Sequence, residues 1–141
     1  MICKISLIIL IVFSFFFITI SSHKIYFISL DRLNWDAAFS NCKAKGMNLV
    51  SIKTREEMEY LKQFLKETYG GVSPLWLGAY RENGQYVWFA TGEKIKNFFW
   101  HAGEPNDKSG NENCIHTWET DFDWNDNDCE LELGFICDLE V

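Results

Sequence analysis

Between Glu104 and Glu132 the chain places ten carboxylates: Glu104, Asp107, Glu112, Glu119, Asp121, Asp123, Asp126, Asp128, Glu130 and Glu132. Lys108 is the one base among them, so this 29-residue segment carries 10 − 1 = 9 net negative charges. The whole 141-residue chain has 13 Lys+Arg, 20 Asp+Glu and a net charge of −7, so the acidity is concentrated in one place. The segment also holds Cys114, Cys129, Trp118, Phe122 and Trp124, which would tie it down and partly bury it. Carboxylates held close together repel unless a cation neutralises them. Asn106, Asn111, Asn113, Asn125 and Asn127 are interleaved with the acids. Carboxylates mixed with amide carbonyls are the ligand types of calcium, which takes six to eight oxygens. The loop pattern of an EF-hand is absent, and His101 and His116 are too few and too separated for a transition-metal cluster. A solvated acidic face without an ion is the other reading of the same composition.

These side chains need elements to hold them. Lys24–Ser29 is aromatic and β-branched and reads as a first strand. Asn34 can cap a helix from Trp35, with Trp35, Ala38, Phe39 and Cys42 on one face and Gly46 as its stop. Met47–Ile52 reads as a short strand. Thr54 and Glu57 form a capping box, and Met58, Leu61, Phe64 and Leu65 give the second helix an apolar stripe that ends before Gly70-Gly71. Then the period changes. Leu75–Ala79 reads as a buried strand, Asn83-Gly84 as a hairpin turn and Gln85–Phe89 as the returning strand. Gly92 to Gly110 is loop-rich, and Ile115–Trp118 and Gly134–Cys137 are closing strands. Two early helices followed by short strands give an α+β domain.

The first residues are different in kind. Lys4 is followed by an uncharged run from Ile5 to Ile20 and by Ser21-Ser22-His23. A basic start, an apolar run shorter than a bilayer span and a small-residue end describe a secretory signal peptide. The expected organisation is residues 1–22 as a removed signal and 23–141 as one domain, secreted and extracellular. Cleavage removes Cys3 and leaves Cys42, Cys114, Cys129 and Cys137. An even count in a small exported domain reads as two disulfides, and spacing alone allows three pairings.

The ordered set Trp76-Leu-Gly-Ala79, Glu104-Pro-Asn106, Asn111-Glu-Asn-Cys114, Trp124-Asn-Asp126, Cys129 and Gly134-Phe-Ile-Cys137 resembles the C-type lectin-like domain in its short, four-cysteine form. The resemblance runs from about Tyr26 to Asp138. It implies a C-type lectin-like fold: two helices packed on short antiparallel sheets, with a long calcium-binding loop region. It implies disulfides Cys42–Cys137 and Cys114–Cys129. It implies a principal Ca²⁺ site made by Glu104, Asn106, Glu112, Asn125 and Asp126, the same five side chains binding the sugar. Glu-Pro-Asn resembles the version that takes mannose-type sugars with equatorial 3- and 4-hydroxyls. A galactose-binding lectin with the same site, or a lectin-like domain for a protein partner, is the alternative.

The chain departs from the family pattern at Tyr80-Arg81-Glu82-Asn83, where an accessory calcium site has acids, and at Asn113, where an Asp is common. A second ion is therefore left open. The resemblance implies glycan partners, a role in microbial recognition and innate immunity, and either a homodimer or a weak monomer. An acidic chain is a poor partner for nucleic acid or an anionic membrane. No enzyme is expected: the acids are better explained as ion ligands than as a glycosidase pair, and no nucleophile elbow is present.

Overall fold

The computed structural model describes residues 16–21, 23–71 and 73–141. Most of the expected signal segment, Cys3 included, lies outside the described residues. Strand β1 (Phe16–Ser21) pairs antiparallel with β2 (Lys24–Leu33), from Phe16 opposite Ser29 to Ser21 opposite Lys24. It sits at the edge of the sheet, and the other side of β2 pairs with β9 (Leu133–Glu140).

Helix α1 (Trp35–Ala44) starts at Asn34, whose side chain accepts from Ala37 N. Its buried face is Trp35, Ala38 and Cys42, as the helical spacing requires. Strand β3 is only Asn48–Leu49, shorter than the apolar run suggested. Val50 and Ile52 are still buried, but as core residues beyond the strand. Helix α2 (Arg55–Tyr69) opens with the Thr54/Glu57 capping box and closes at Gly70 in the left-handed conformation. Met58, Leu61 and Leu65 face inward.

Strands β4 (Leu75–Glu82) and β5 (Gln85–Trp88) form a hairpin around Asn83-Gly84, both with positive φ. That turn matches the twist of paired strands. Gly78 is needed for another reason: a Cβ there would lie 2.3 Å from the Leu49 carbonyl oxygen, so β4 and the β3 segment touch backbone to backbone. β6 (Glu93–Lys94), β7 (Cys114–Thr117) and β8 (Trp124–Asn127) complete the sheet. Among the named strands, the expectation of antiparallel pairing holds except for one pair. β4 and β9 run parallel, with Leu75 opposite Gly134 and Trp76 opposite Phe135. These two strands are far apart in sequence, so no short turn forces them antiparallel.

Two apolar clusters form the core. One joins α2 to β4, β5, β7 and the segment before β8; the other packs α1 on β2, β4 and β9. Cys42–Cys137 ties α1 to β9, and Cys114–Cys129 closes the β7–β8 region. They are separated by 95 and 15 residues. In the chain-entropy picture each contributes roughly 3–5 kcal/mol, the longer loop more.

One ion cluster is buried beside this core. Lys24 Nζ donates to the Ser51 carbonyl at 2.6 Å and lies 2.9 Å from Glu57 and 3.2 Å from Asp138. Burial pushes the Asp138 carboxyl up, and Lys24 opposes that shift. Replacing Lys24 by Met leaves Asp138 buried without its cation. Breaking such a pair costs about 3–5 kcal/mol, on the order of 10–20 °C in Tm. The lone carboxyl then titrates still higher in the folded state than in the unfolded chain, so the folded state binds the proton better. The deficit of Lys24→Met is largest at pH 7 and shrinks as pH falls toward the unfolded carboxylate range. Thermal melts at neutral pH and near pH 5 check this; an equal deficit at both would refute it.

Candidate functional site

The β7–β8 hairpin supplies the rigid part of the acidic region. Its register sets Ile115 opposite Asp126 and His116 opposite Asn125. Trp124, fully buried, anchors the start of β8 among Trp88, Phe98, Phe99 and Trp100. The Trp124 backbone also receives His101 N at 2.8 Å, and Trp124 N donates to Phe99 O. This fixes where the following loop leaves the core.

That loop returns over Asp126. The Glu104–Pro105 peptide bond is cis. Asp126 is 1% exposed, and its carboxylate accepts from Asn106 N at 3.0 Å, Asp107 N at 3.0 Å and the Tyr86 hydroxyl at 3.3 Å. Asn106 Nδ2 donates to Glu104 Oε1 at 2.8 Å, and its Oδ1 accepts from Lys108 N. Glu112 accepts from the same Lys108 N at 2.8 Å and from Ser109 Oγ at 3.3 Å. Of the five expected ligands, Glu104, Asn106 and Asp126 are thus brought into one hydrogen-bonded group. Glu112 joins them through the Lys108 amide.

Asn125 is held on a different partner. Its amide nitrogen lies 3.1 Å from His116 Nε2, and that of Asn127 lies 3.2 Å away. His116 Nδ1 lies 2.8 Å from the Thr117 carbonyl, so Nδ1 carries the proton and Nε2 accepts from the two amides. Burial holds His116 below the usual imidazole range, which keeps it in this neutral form. Asn125 therefore offers its carbonyl oxygen as the remaining ligand atom.

The residues also pass a test of fit to a hard cation. Glu104 Oε2 is buried and has no hydrogen-bond partner. Burial, and then the neighbouring Asp126, raise the Glu104 carboxyl, with Glu112 adding to the effect. An orphan oxygen among repelling carboxylates, amide oxygens and few donors is the chemistry of an oxygen-ligand cation site.

Sequence reasoning overlooked three supports. Arg81 Nη1 bonds Asp107 Oδ2 at 2.8 Å, while Asp107 Oδ1 accepts from Glu112 N at 3.1 Å. The Glu112 backbone amide, and then Arg81, hold the Asp107 carboxyl below the usual range. Tyr86 reaches Asp126 from β5, and His116 orients Asn125. Only contacts across many residues create these roles, so no local motif signals them. The third of these, His116, belongs to the core. It is buried, edge-on to Trp76 and behind Asn125.

Glu104→Gln gives a direct check of the charge argument without any metal. In EDTA the variant loses a carboxylate that is repelled by Asp126, and its melting temperature rises by about 2–3 °C, the effect of relieving roughly 0.5 kcal/mol of like-charge contact. A lower melting temperature in EDTA would mean that the carboxylates are not in conflict.

A family profile for the lectin C-type domain matches residues 31–139. A C-type lectin of Drosophila melanogaster, named 37Db, is 38% identical over 120 residues, covering 82% of this chain and 77% of its own length. The mouse scavenger receptor C-type lectin carbohydrate-recognition domain superposes with a TM-score of 0.77 at 27% identity, covering 87% of this chain and 93% of that one. The cow CD23 C-type carbohydrate-recognition domain, solved in the presence of a GlcNAc2Man3 oligosaccharide, gives 0.77 at 27% identity, covering 88% and 93%. With this domain match, the two disulfides and the shared architecture, the chain belongs to the C-type lectin domain family, a family of carbohydrate-binding modules rather than enzymes.

Proposed function

We propose that this chain is a secreted, calcium-dependent lectin for mannose-type sugars, holding one calcium at Glu104, Asn106, Glu112, Asn125 and Asp126. The observation that carries the reading is the buried, partnerless Glu104 Oε2 beside Asp126 and Asn106. Calcium, when bound, supplies the balancing charge and leaves coordination positions open to two neighbouring sugar hydroxyls. The chain's own residues do the rest. Glu104 and Glu112 accept hydrogen bonds from those hydroxyls, and the Asn106 and Asn125 amide groups donate to them. Tyr86 and the two loop amides keep Asp126 aimed at the group.

Sugar type rests on Glu104-Pro105-Asn106, which resembles the mannose-type triplet, and on the oligosaccharide seen with the cow relative. Secretion rests on the apolar amino-terminal run and on two disulfides, which persist in oxidising compartments. No helix among the described residues is long and apolar enough to cross a membrane. Removal of residues 1–22 would take β1 with it, and β2 would keep its pairing with β9. A role in marking microbes follows from the same sugar type, and a dimer would raise the avidity of a weak single site.

Retention on mannose resin in calcium, abolished by EDTA, is the expected result. Glu104→Gln together with Asn106→Asp gives the Gln-Pro-Asp triplet and shifts retention toward galactose. Wild-type retention on galactose would overturn the sugar assignment. Retention that survives EDTA would overturn the calcium mechanism. Asp126→Asn removes a ligand carboxylate and lowers calcium affinity by about ten-fold or more in calorimetry.

A further inference from the structure

His101, Asp121 and Asp123 are not among the five residues above. Their ligand atoms, one from each, all fall within 4.8 Å of one another. His101 Nδ1 is 3.0 Å from Asp121 Oδ2. Two separate segments make this meeting. His101 is placed by its own amide on Trp124 O, and its ring is stacked on Trp118 at 4.5 Å and 4°. Asp121 and Asp123 sit on the turn that joins β7 to β8. There Asp121 Oδ1 accepts from Asp123 N at 3.0 Å, and Trp118 N donates to Asp123 O. Phe122, between the two acids, is fully buried with φ +68°, so the turn is anchored from below while Asp121 and Asp123 stay half-buried.

The donor set differs in kind from the oxygen-only group around Asp126. One imidazole nitrogen with two carboxylates suits zinc and its first-row neighbours, whereas calcium favours oxygen alone. Around a tetrahedral zinc with bonds near 2.1 Å, neighbouring donors are about 3.4 Å apart. The His101–Asp121 pair already lies near that separation, and Asp123 has to close from within 4.8 Å. Both side chains are part-exposed, 27% and 35%, so an ion can enter from solvent.

We propose that His101, Asp121 and Asp123 form a zinc site, distinct from the calcium group, that leaves a fourth position for water or an outside ligand. The ion takes the Nδ1 lone pair, so the imidazole proton moves to Nε2 and the ring stays neutral. Zinc here would tie the β7–β8 turn to the base of the sugar loop, because Glu104 N donates to the His101 carbonyl at 3.0 Å. The proposal stands independently of the sugar and calcium assignments.

The test is zinc titration of the full chain by calorimetry in excess calcium, with cobalt as a spectroscopic substitute. One zinc per chain is expected, with the visible absorption of low-symmetry four-coordinate cobalt. His101→Ala and the near-isosteric Asp123→Asn each weaken zinc about ten-fold or more. His23→Ala leaves it unchanged. Circular dichroism and intact disulfides establish that the variants are folded, and Asp123→Asn keeps the test valid if His101→Ala loses its Trp118 stack and misfolds. Absence of zinc binding in the wild type would overturn the site. So would equal affinity in Asp123→Asn.

Discussion

The Asp126 carboxylate is the point on which the upper half of the molecule depends. It sits on β8, a strand held by pairing to β7, and it is almost wholly buried. From there it receives two consecutive backbone amides, Asn106 and Asp107, of a loop with no strand of its own. Buried backbone donors need partners, and a charged acceptor makes the stronger bond. The sheet thus reaches the loop through one side chain. The same carboxylate destabilises Glu104 next to it. The group that organises the loop is therefore also the group that gives it an appetite for a cation.

That arrangement needs a stiff base, and the core provides it by unusual means for so short a chain. The long loop region contributes few regular hydrogen bonds, so its position is set by rings and by sulfur. Trp124 touches four other aromatic rings, and Cys114–Cys129 joins the first residue of β7 to the stretch just beyond β8. At the other end Cys42–Cys137 fixes α1 on β9. Small domains bury too little apolar surface to hold long loops by packing alone, and covalent links supply the difference.

The helices were legible because their signals are local. Asn34, the Thr54/Glu57 box and Gly70 sit within a turn of what they cap. The Asn83-Gly84 hairpin was legible for the same reason. Strand β8 was not: Trp-Asn-Asp-Asn reads as loop by composition, and only pairing with β7 makes it a strand. The parallel β4–β9 contact joins residues far apart in sequence, which no local pattern announces. The site divides in the same way. Glu104, Asn106, Glu112, Asn125 and Asp126 stood out by motif, whereas the residues behind them, Tyr86, His116 and Arg81, come from other strands. His101 read as too separated to join a metal cluster because its acidic neighbours are about twenty residues away in sequence.

Arg81 bears on how many cations the acidic region can take. It occupies a stretch where the family's accessory site has acids, and it bonds Asp107 directly. Asp107 Oδ1 is meanwhile committed to the Glu112 amide. Both oxygens of that carboxylate are therefore engaged, and its charge has a counter-ion built into the chain. An ion placed there would have to displace a guanidinium, with Asn113 bringing no charge. Around Glu104 the balance is the reverse: the oxygen is buried and has no partner, and the nearest charges are like charges. Fixed charges of opposite sign thus satisfy one corner of the loop from within and leave the other to be satisfied from solution.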